Sequence, residues 1–262
     1  MLTLSSISIR FGGLQVLQDL NLTVPERGIF GLIGPNGAGK TTVFNLITGL
    51  LAPNSGAIVF AGRRLNDLLP HKITRSGIAR TFQNIRIFRE MTLLENVLVA
   101  LGSRASHGAA SVLLPWAGYR EAEREDRVAA LGFLAKVGLA EKAEQWAGTL
   151  SYGEQRRLEI ARALATQPRL LLLDEPAAGM NSVEKQQLID EVVKLNDSGL
   201  TILIIEHDMS VIMGLCQEIA VLNFGSVIAQ GTANEIRSNP EVIEAYLGKD
   251  QRSPGKPEGM PP

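Results

Sequence analysis

The sequence predicts an α/β protein, and three observations predict it. Residues 169–174 (RLLLLD) and 201–206 (TILIIE) are compact apolar runs of the kind buried in a parallel sheet, with a helical pattern over about 182–198 between them. Residues 2–11 and 16–24 alternate in polarity, as half-buried antiparallel strands do. Over about 88–165 helical patterns dominate and no convincing strand occurs.

In chain order, the first two strands carry Leu4, Ile7, Ile9 and Phe11, then Leu20, Leu22 and Val24. Residues 28–33 (GIFGLI) read as a short buried strand, after which Val43, Phe44, Leu46, Ile47 and Leu50 recur at helical spacing. Residues 56–60 and 77–82 are further strand candidates. In the helical middle, Leu93, Leu94, Val97 and Leu98 mark one apolar face and Val128, Leu131, Leu134 and Ala135 another. Between them 102–119, rich in Gly, Ala and Ser, reads as a loop or a poorly ordered helix start. The run REAEREDR at 120–127 reads as the solvated beginning of a helix, its charges pairing at i,i+3 and i,i+4. Residues 218–230 read as a hairpin turning near Asn223–Ser226. The tail 249–262, with four prolines and almost no apolar content, is expected to be disordered.

Among the 262 residues, 26 Lys+Arg face 27 Asp+Glu, a formal net charge of −1. That balance argues against a nucleic-acid binder relying on an overall positive field, while a local basic patch remains open. The 45% hydrophobic and 20% charged content suits a globular protein with a sizeable core. The single cysteine, Cys216, rules out an internal disulfide and a cysteine-based zinc cluster, and reads as a small buried residue. No uninterrupted apolar run approaches the ~18 residues that span a bilayer. The start, MLTLSSISIRFGG, lacks a basic segment followed by an apolar block, so a cytosolic place is expected, against a membrane only through partners. His71 and His107 have no partner pattern.

The chemistry concentrates in Gly34, Pro35, Asn36, Gly37, Ala38, Gly39, Lys40 and Thr41, followed by Thr42, which match G-x-x-x-x-G-K-[ST] between a strand and a helix. Glycines let the backbone curl so that several N–H groups face one anion, and the helix adds its positive N-terminal end. Lys40 would reach the β/γ-phosphates of a nucleoside triphosphate, and the Thr41 hydroxyl would bind Mg²⁺. Asp174 ends an apolar strand and Glu175 follows it. The Asp can hold Mg²⁺ through water and the adjacent carboxylate can act as general base, or Asp174-Glu175-Pro176 is a polar turn. Gln83, Mg²⁺- and water-directed through its amide, and His207, directed at the γ-phosphate, gain these roles only from context; alone, each reads as a loop residue. Phe11 either stacks on adenine or belongs to the core. Ser151 and Glu154 have the spacing of a capping box that opens the helix QRRLEIARALA, a second anion-attracting helix end.

The order of these pieces resembles the ATP-binding cassette (ABC) ATPases over residues 1–248, and LSYGEQ at 150–155 looks like the family's signature. The resemblance implies a P-loop NTPase with a RecA-like parallel-sheet core, an N-terminal antiparallel β-subdomain and an α-helical subdomain, about 88–165, inserted in the core. It assigns Phe11 to the adenine-stacking loop, Gln83 to the loop that senses the transporter, His207 to the switch histidine and Glu175 to the catalytic base. ATP is then sandwiched between the P-loop of one cassette and Ser151, Gly153 and Glu154 of the signature of another. Tyr152 stands where the commonest signature has Gly, and Glu154 where it often has Gln, while Gly153 is retained. Asn181 stands where the family usually carries Asp, so the usual cross-dimer coupling there is not implied.

GIARTFQNIRIF, LLLDEPAAGMN, IIEHDM and VIEAYLG further resemble the LivG-type subunits of branched-chain amino acid importers. That implies ATP and Mg²⁺, two membrane permease subunits contacted near Gln83 and about 84–100, a second ABC ATPase subunit of the same or a sister chain, and an extracytoplasmic substrate-binding protein reached indirectly. The implied place is the cytoplasmic face of the inner or plasma membrane. Urea or other small-solute importers and a lipid-exporting ABC system are alternatives within transport. A soluble ABC ATPase acting on ribosomes or DNA is the alternative outside it. One cassette, no long inserted arm and near-neutral charge count against that alternative and against a nucleic-acid partner. A non-hydrolysing regulator is disfavoured by the presence of Glu175 and His207.

Overall fold

A computed structural model describes residues 1–102 and 117–247. The 103–116 stretch of the expected loop, with His107, and the tail 249–262 lie outside the described residues. In order the chain forms β1 (Leu2–Phe11), β2 (Leu14–Val24), β3 (Ile29–Ile33), α1 (Lys40–Ile47), β4 (Ser55–Phe60), β5 (Arg63–Arg64), α2 (Pro70–Arg75), β6 (Ile78–Arg80) and α3 (Leu93–Gly102). It continues through α4 (Ala117–Lys136), α5 (Tyr152–Ala165), β7 (Leu170–Asp174), α6 (Ser182–Asp197), β8 (Thr201–Ile205), α7 (Met209–Leu215), β9 (Glu218–Asn223), β10 (Ser226–Gly231), α8 (Ala233–Ser238) and α9 (Pro240–Leu247).

Two sheets result. The first is antiparallel, in the order β2-β1-β4-β5, and the second has the order β10-β9-β3-β8-β7-β6. In the second, β9, β3, β8, β7 and β6 pair in parallel and only β10 returns antiparallel on β9. The reason for its unbroken apolar runs is visible in burial. Along β7, Leu171 and Leu173 enter a core shared with the helices, whereas Leu170 and Leu172 enter a second core. Ile202 and Ile204 against Leu203 and Ile205 repeat this division on β8. With successive side chains on opposite faces, a strand covered on both sides needs apolar residues at every position. Each such side chain contributes roughly 1.5–3 kcal/mol on burial. The second core fills the space between the sheets, and Val43, Phe44, Leu46 and Ile47 of α1 lie in it.

The helical middle carries α3, α4 and α5, which pack on one another. Apart from an isolated bridge between Thr92 and Trp146, no strand occurs among its described residues. Three sequence expectations need correction. Leu50 lies beyond α1, after Gly49 turns the chain at φ 71, and is exposed. Among the described side chains of α4 the buried positions are Ala130 and Leu134, with Val137 just after the helix, while Val128 and Ala135 are exposed. The period was legible, but only contact with α3 and α5 selects which flank of the stripe is covered. Among the described residues of 120–127, Arg127 pairs with Glu144 outside the helix (2.6 Å) rather than within the run. Helices α2, α7 and α8, of six or seven residues, are too short to display a periodicity and were not anticipated.

Candidate functional site

Parallel pairing brings the carboxyl ends of β3, β8, β7 and β6 to one edge of the sheet, and each end is followed by a polar residue group. These are the loop 34–39 after β3, His207 after β8, Asp174 and Glu175 at the end of β7, and Gln83 after β6. Ligands of open parallel sheets bind at this edge.

The 34–39 loop has the backbone that its glycines predict. Gly34 has φ 149, and a Cβ there would lie 2.0 Å from the Leu222 carbonyl oxygen. Gly39, at φ 108, caps α1 and would place a Cβ 2.7 Å from Leu17. The loop curls around its own lysine: Lys40 Nζ donates to Gly34 O (2.7 Å) and Pro35 O (3.0 Å). Burial pushes the Lys40 ammonium below its usual range, opposed by the carboxylates of Glu175 and Asp174.

Glu175 leaves β7 in the left-handed region (φ 47), its N–H donating to Ile205 O of β8 (2.9 Å). Its carboxylate accepts from Gln83 Nε2 at 2.9 Å and lies 3.9 Å from His207 Nδ1. Three residues up to 124 positions apart in the chain are thus neighbours. Asp174, nearly fully buried, accepts at Oδ2 from Arg80 Nη2 at 2.7 Å. Phe11 is 47% exposed at the end of β1, which removes its core alternative.

Two residues of the site were missed from sequence. Arg80 also donates to Asn45 on α1 (2.7 Å), tying Asp174 to the helix behind the loop. Glu206, almost fully buried, accepts from the N–H groups of Ala177 (2.7 Å) and His207 (3.1 Å). It fastens the turn after Glu175 to the turn after β8, and burial pushes its carboxyl pKa up. A charged residue inside or directly after an apolar strand was the available signal for both.

At 151–154 the capping box forms. Ser151 Oγ accepts from Glu154 N–H (3.3 Å) and Glu154 Oε2 accepts from Ser151 N–H (3.0 Å). Lys142 pairs with the same carboxylate and holds it below its usual pKa. Among the described residues, no hydrogen bond or ion pair of Ser151, Gly153 or Glu154 reaches 34–42. Asn181 is the N-cap of α6, its Oδ1 accepting from Val183 and Glu184 N–H groups (2.9 and 3.0 Å). Asn and Asp cap equally well, so this departure leaves the helix start intact. The Tyr152 ring covers Gly179, 3.5 Å from where a Cβ would be.

A glycine-rich loop between strand and helix with a neighbouring strand-end carboxylate is the arrangement of a nucleoside-triphosphate-hydrolysing cassette. The family model described as ABC transporter matches residues 17–178, and one described as branched-chain amino acid ATP-binding cassette transporter matches 226–251. The chain belongs to the ABC transporter family, as one of its ATP-binding, ATP-hydrolysing subunits. It is 48% identical over 250 residues (95% of this chain, 98% of the relative) to the high-affinity branched-chain amino acid transport ATP-binding protein LivG of Salmonella typhimurium. It is 34% identical over 251 residues (96% and 98%) to the lipopolysaccharide export system ATP-binding protein LptB of Escherichia coli. A solved ATP-binding cassette of an ABC transporter in its ADP conformation superimposes with a TM-score of 0.83 at 31% identity, covering 95% of this chain and 99% of that one. No helix among the described residues is long and apolar enough to cross a membrane.

Proposed function

We propose that this chain energises an importer of branched-chain amino acids, ATP closing a pair of cassettes and hydrolysis reopening them. The observation that carries the hydrolytic part is the Gln83–Glu175 contact beside the lysine loop. The substrate is supported by the relatives' stated role, at higher identity than the lipid-export relative. Residues 1–248 form a single ABC ATPase domain in this reading, with 88–165 as its helical subdomain.

In the site, N–H groups of 34–39 cradle the phosphates while Lys40 exchanges its two carbonyl partners for β/γ-oxygens, a charge-assisted contact. Thr42 continues the helix start, and Phe11 stacks on the base. Among the described residues no group of three or more His, Cys, Asp or Glu forms a cage for a metal. The donors present are a hydroxyl (Thr41), an amide oxygen (Gln83, whose Nε2 is spent on Glu175) and Asp174 through water. Such a sparse oxygen set fits Mg²⁺ bound largely by phosphates and water. Held there, the ion would supply positive charge that offsets the charge of the phosphates. Glu175 takes the proton of the attacking water, Gln83 orients that carboxylate, and His207 contacts the γ-phosphate.

Among the described residues, Ser151, Gly153 and Glu154 make no hydrogen bond or ion pair with the phosphate loop of their own chain, which supports their use on nucleotide held by a second cassette. ATP favours the closed dimer because only that state completes its contacts. Two permease subunits, a same or sister cassette and, indirectly, an extracytoplasmic binding protein complete the assembly, at the cytoplasmic face of the membrane. Glu175→Gln tests the core of this reading. It is expected to bind ATP, accumulate as a dimer and hydrolyse on the order of 100-fold more slowly. Near-normal turnover would remove Glu175 as the base.

A further inference from the structure

Arg156, in the first turns of α5, has a fully buried side chain, and its ion pair with Glu159 (2.8 Å) lies inside the protein. Taken alone, such a pair is weak evidence for stability, since an apolar pair of equal volume often serves as well. Arg156 Nε is even buried without a partner. The remaining contacts say what the pair does instead. Arg156 Nη1 donates to Phe82 O (2.5 Å) and Nη2 to Gln83 O (2.9 Å), while Glu159 Oε1 accepts from Phe82 N–H (3.1 Å). Three consecutive peptide units are thus gripped from one helix, by a planar fork and an acceptor that an apolar pair cannot supply. The side chain of the gripped Gln83 is the one on Glu175. Tyr152, the departure from the commonest signature, brings its hydroxyl 3.4 Å from Arg156 Nη2.

We propose that Arg156 and Glu159 are positioning residues: a clamp that locks Phe82–Gln83 to the first turns of α5. The Gln83 amide is then carried to Glu175 by the same helix that presents Ser151 and Gly153. The clamp rests on the assignment of Gln83 and Glu175 to hydrolysis. Physically it is one rigid turn of helix: Gly153 and Arg156 are neighbours on its surface at i,i+3. A phosphate meeting the helix start therefore displaces, or fixes, the Gln83 backbone directly. Misplacement of such a group by about 1 Å is enough to slow chemistry about 100-fold.

The test uses the full chain carrying Arg156→Met with Glu159→Leu, which removes both charges together. Its kcat is expected to fall at least about tenfold with KM for ATP within about twofold, because orientation and not ground-state binding is lost. Amide exchange over residues 81–84 should accelerate while 34–42 stays protected and the melting temperature stays near that of the parent. Arg156→Lys keeps the charge without the fork and should show an intermediate kcat. Parental kcat and parental exchange at 81–84 in the folded double variant would overturn the clamp. If the double variant does not fold, parental kcat in Arg156→Lys does so. Glu175→Gln is measured alongside. Retained turnover there sinks the base assignment, while the exchange data still judge the clamp on their own.

Discussion

Lys40 shows how a single side chain can be both prepared and held back. It donates to two carbonyls of its own loop, desolvated enough to lower its pKa, yet within the field of two carboxylates. Triphosphate oxygens offer it a stronger, charged partner than the carbonyls it leaves. Lys40→Ala is expected to weaken ATP binding at least about tenfold in a fluorescent-nucleotide titration, since a charge-assisted contact is lost. An unchanged affinity would contradict the cradle. Arg80 and Glu206 act at the same scale in the opposite sense. Each is buried to hold a loop end, and neither belongs to a motif that residue spacing could flag.

At the scale of elements, α5 and α6 share the same logic at their starts, a capping box closed by Glu154 in one and by Glu184 in the other. The helices meet further along through Arg157 and Glu191 (3.4 Å), where Glu191 Oε2 is buried without a partner. Burial raises the Glu191 carboxyl from its ordinary value to about 7. Because the folded state holds this proton more tightly than the unfolded chain, its contribution is full below about pH 4.5 and is lost as pH rises through 7. The loss is at most on the order of 3–4 kcal/mol, from ~1.4 kcal/mol per pKa unit. Glu191→Gln should therefore gain melting temperature relative to the parent on going from pH 5 to pH 8. A difference that stays constant with pH would mean the carboxyl is not desolvated between the helices.

For the whole molecule, the decisive feature is that one edge of one sheet gathers five parallel strand ends, while the capped start of α5, among the described residues, makes no hydrogen bond or ion pair with 34–42. In the proposed reading, such a chain carries two halves of a nucleotide site that two cassettes would join. Affinity purification of the tagged protein from native membranes is expected to bring two very hydrophobic subunits and a second cassette. Ribosomal or DNA-bound partners with no membrane subunit would sink the transport reading.

Much of this was legible beforehand because the signals are local. The phosphate loop needs glycines at fixed spacing, the cap of α5 needs Ser151 and Glu154 three apart, and strands buried on both faces need unbroken apolar runs. Short helices such as α2 and α7 left no period to read, and Val128 was assigned to the wrong side of its stripe because a period names no partner.

By itself the sequence determined the α/β class, the glycine-rich loop between β3 and α1, and the acidic end of β7, since each follows from covalent spacing and side-chain chemistry. Only the tertiary structure decided that Gln83 meets Glu175, that Arg80 holds Asp174, and that Arg156 grips the backbone beside Gln83. Those contacts join residues that are 73 to 94 positions apart in the chain. Their proximity is set by which strands pair and in what order, a collective property of packing that no local pattern encodes.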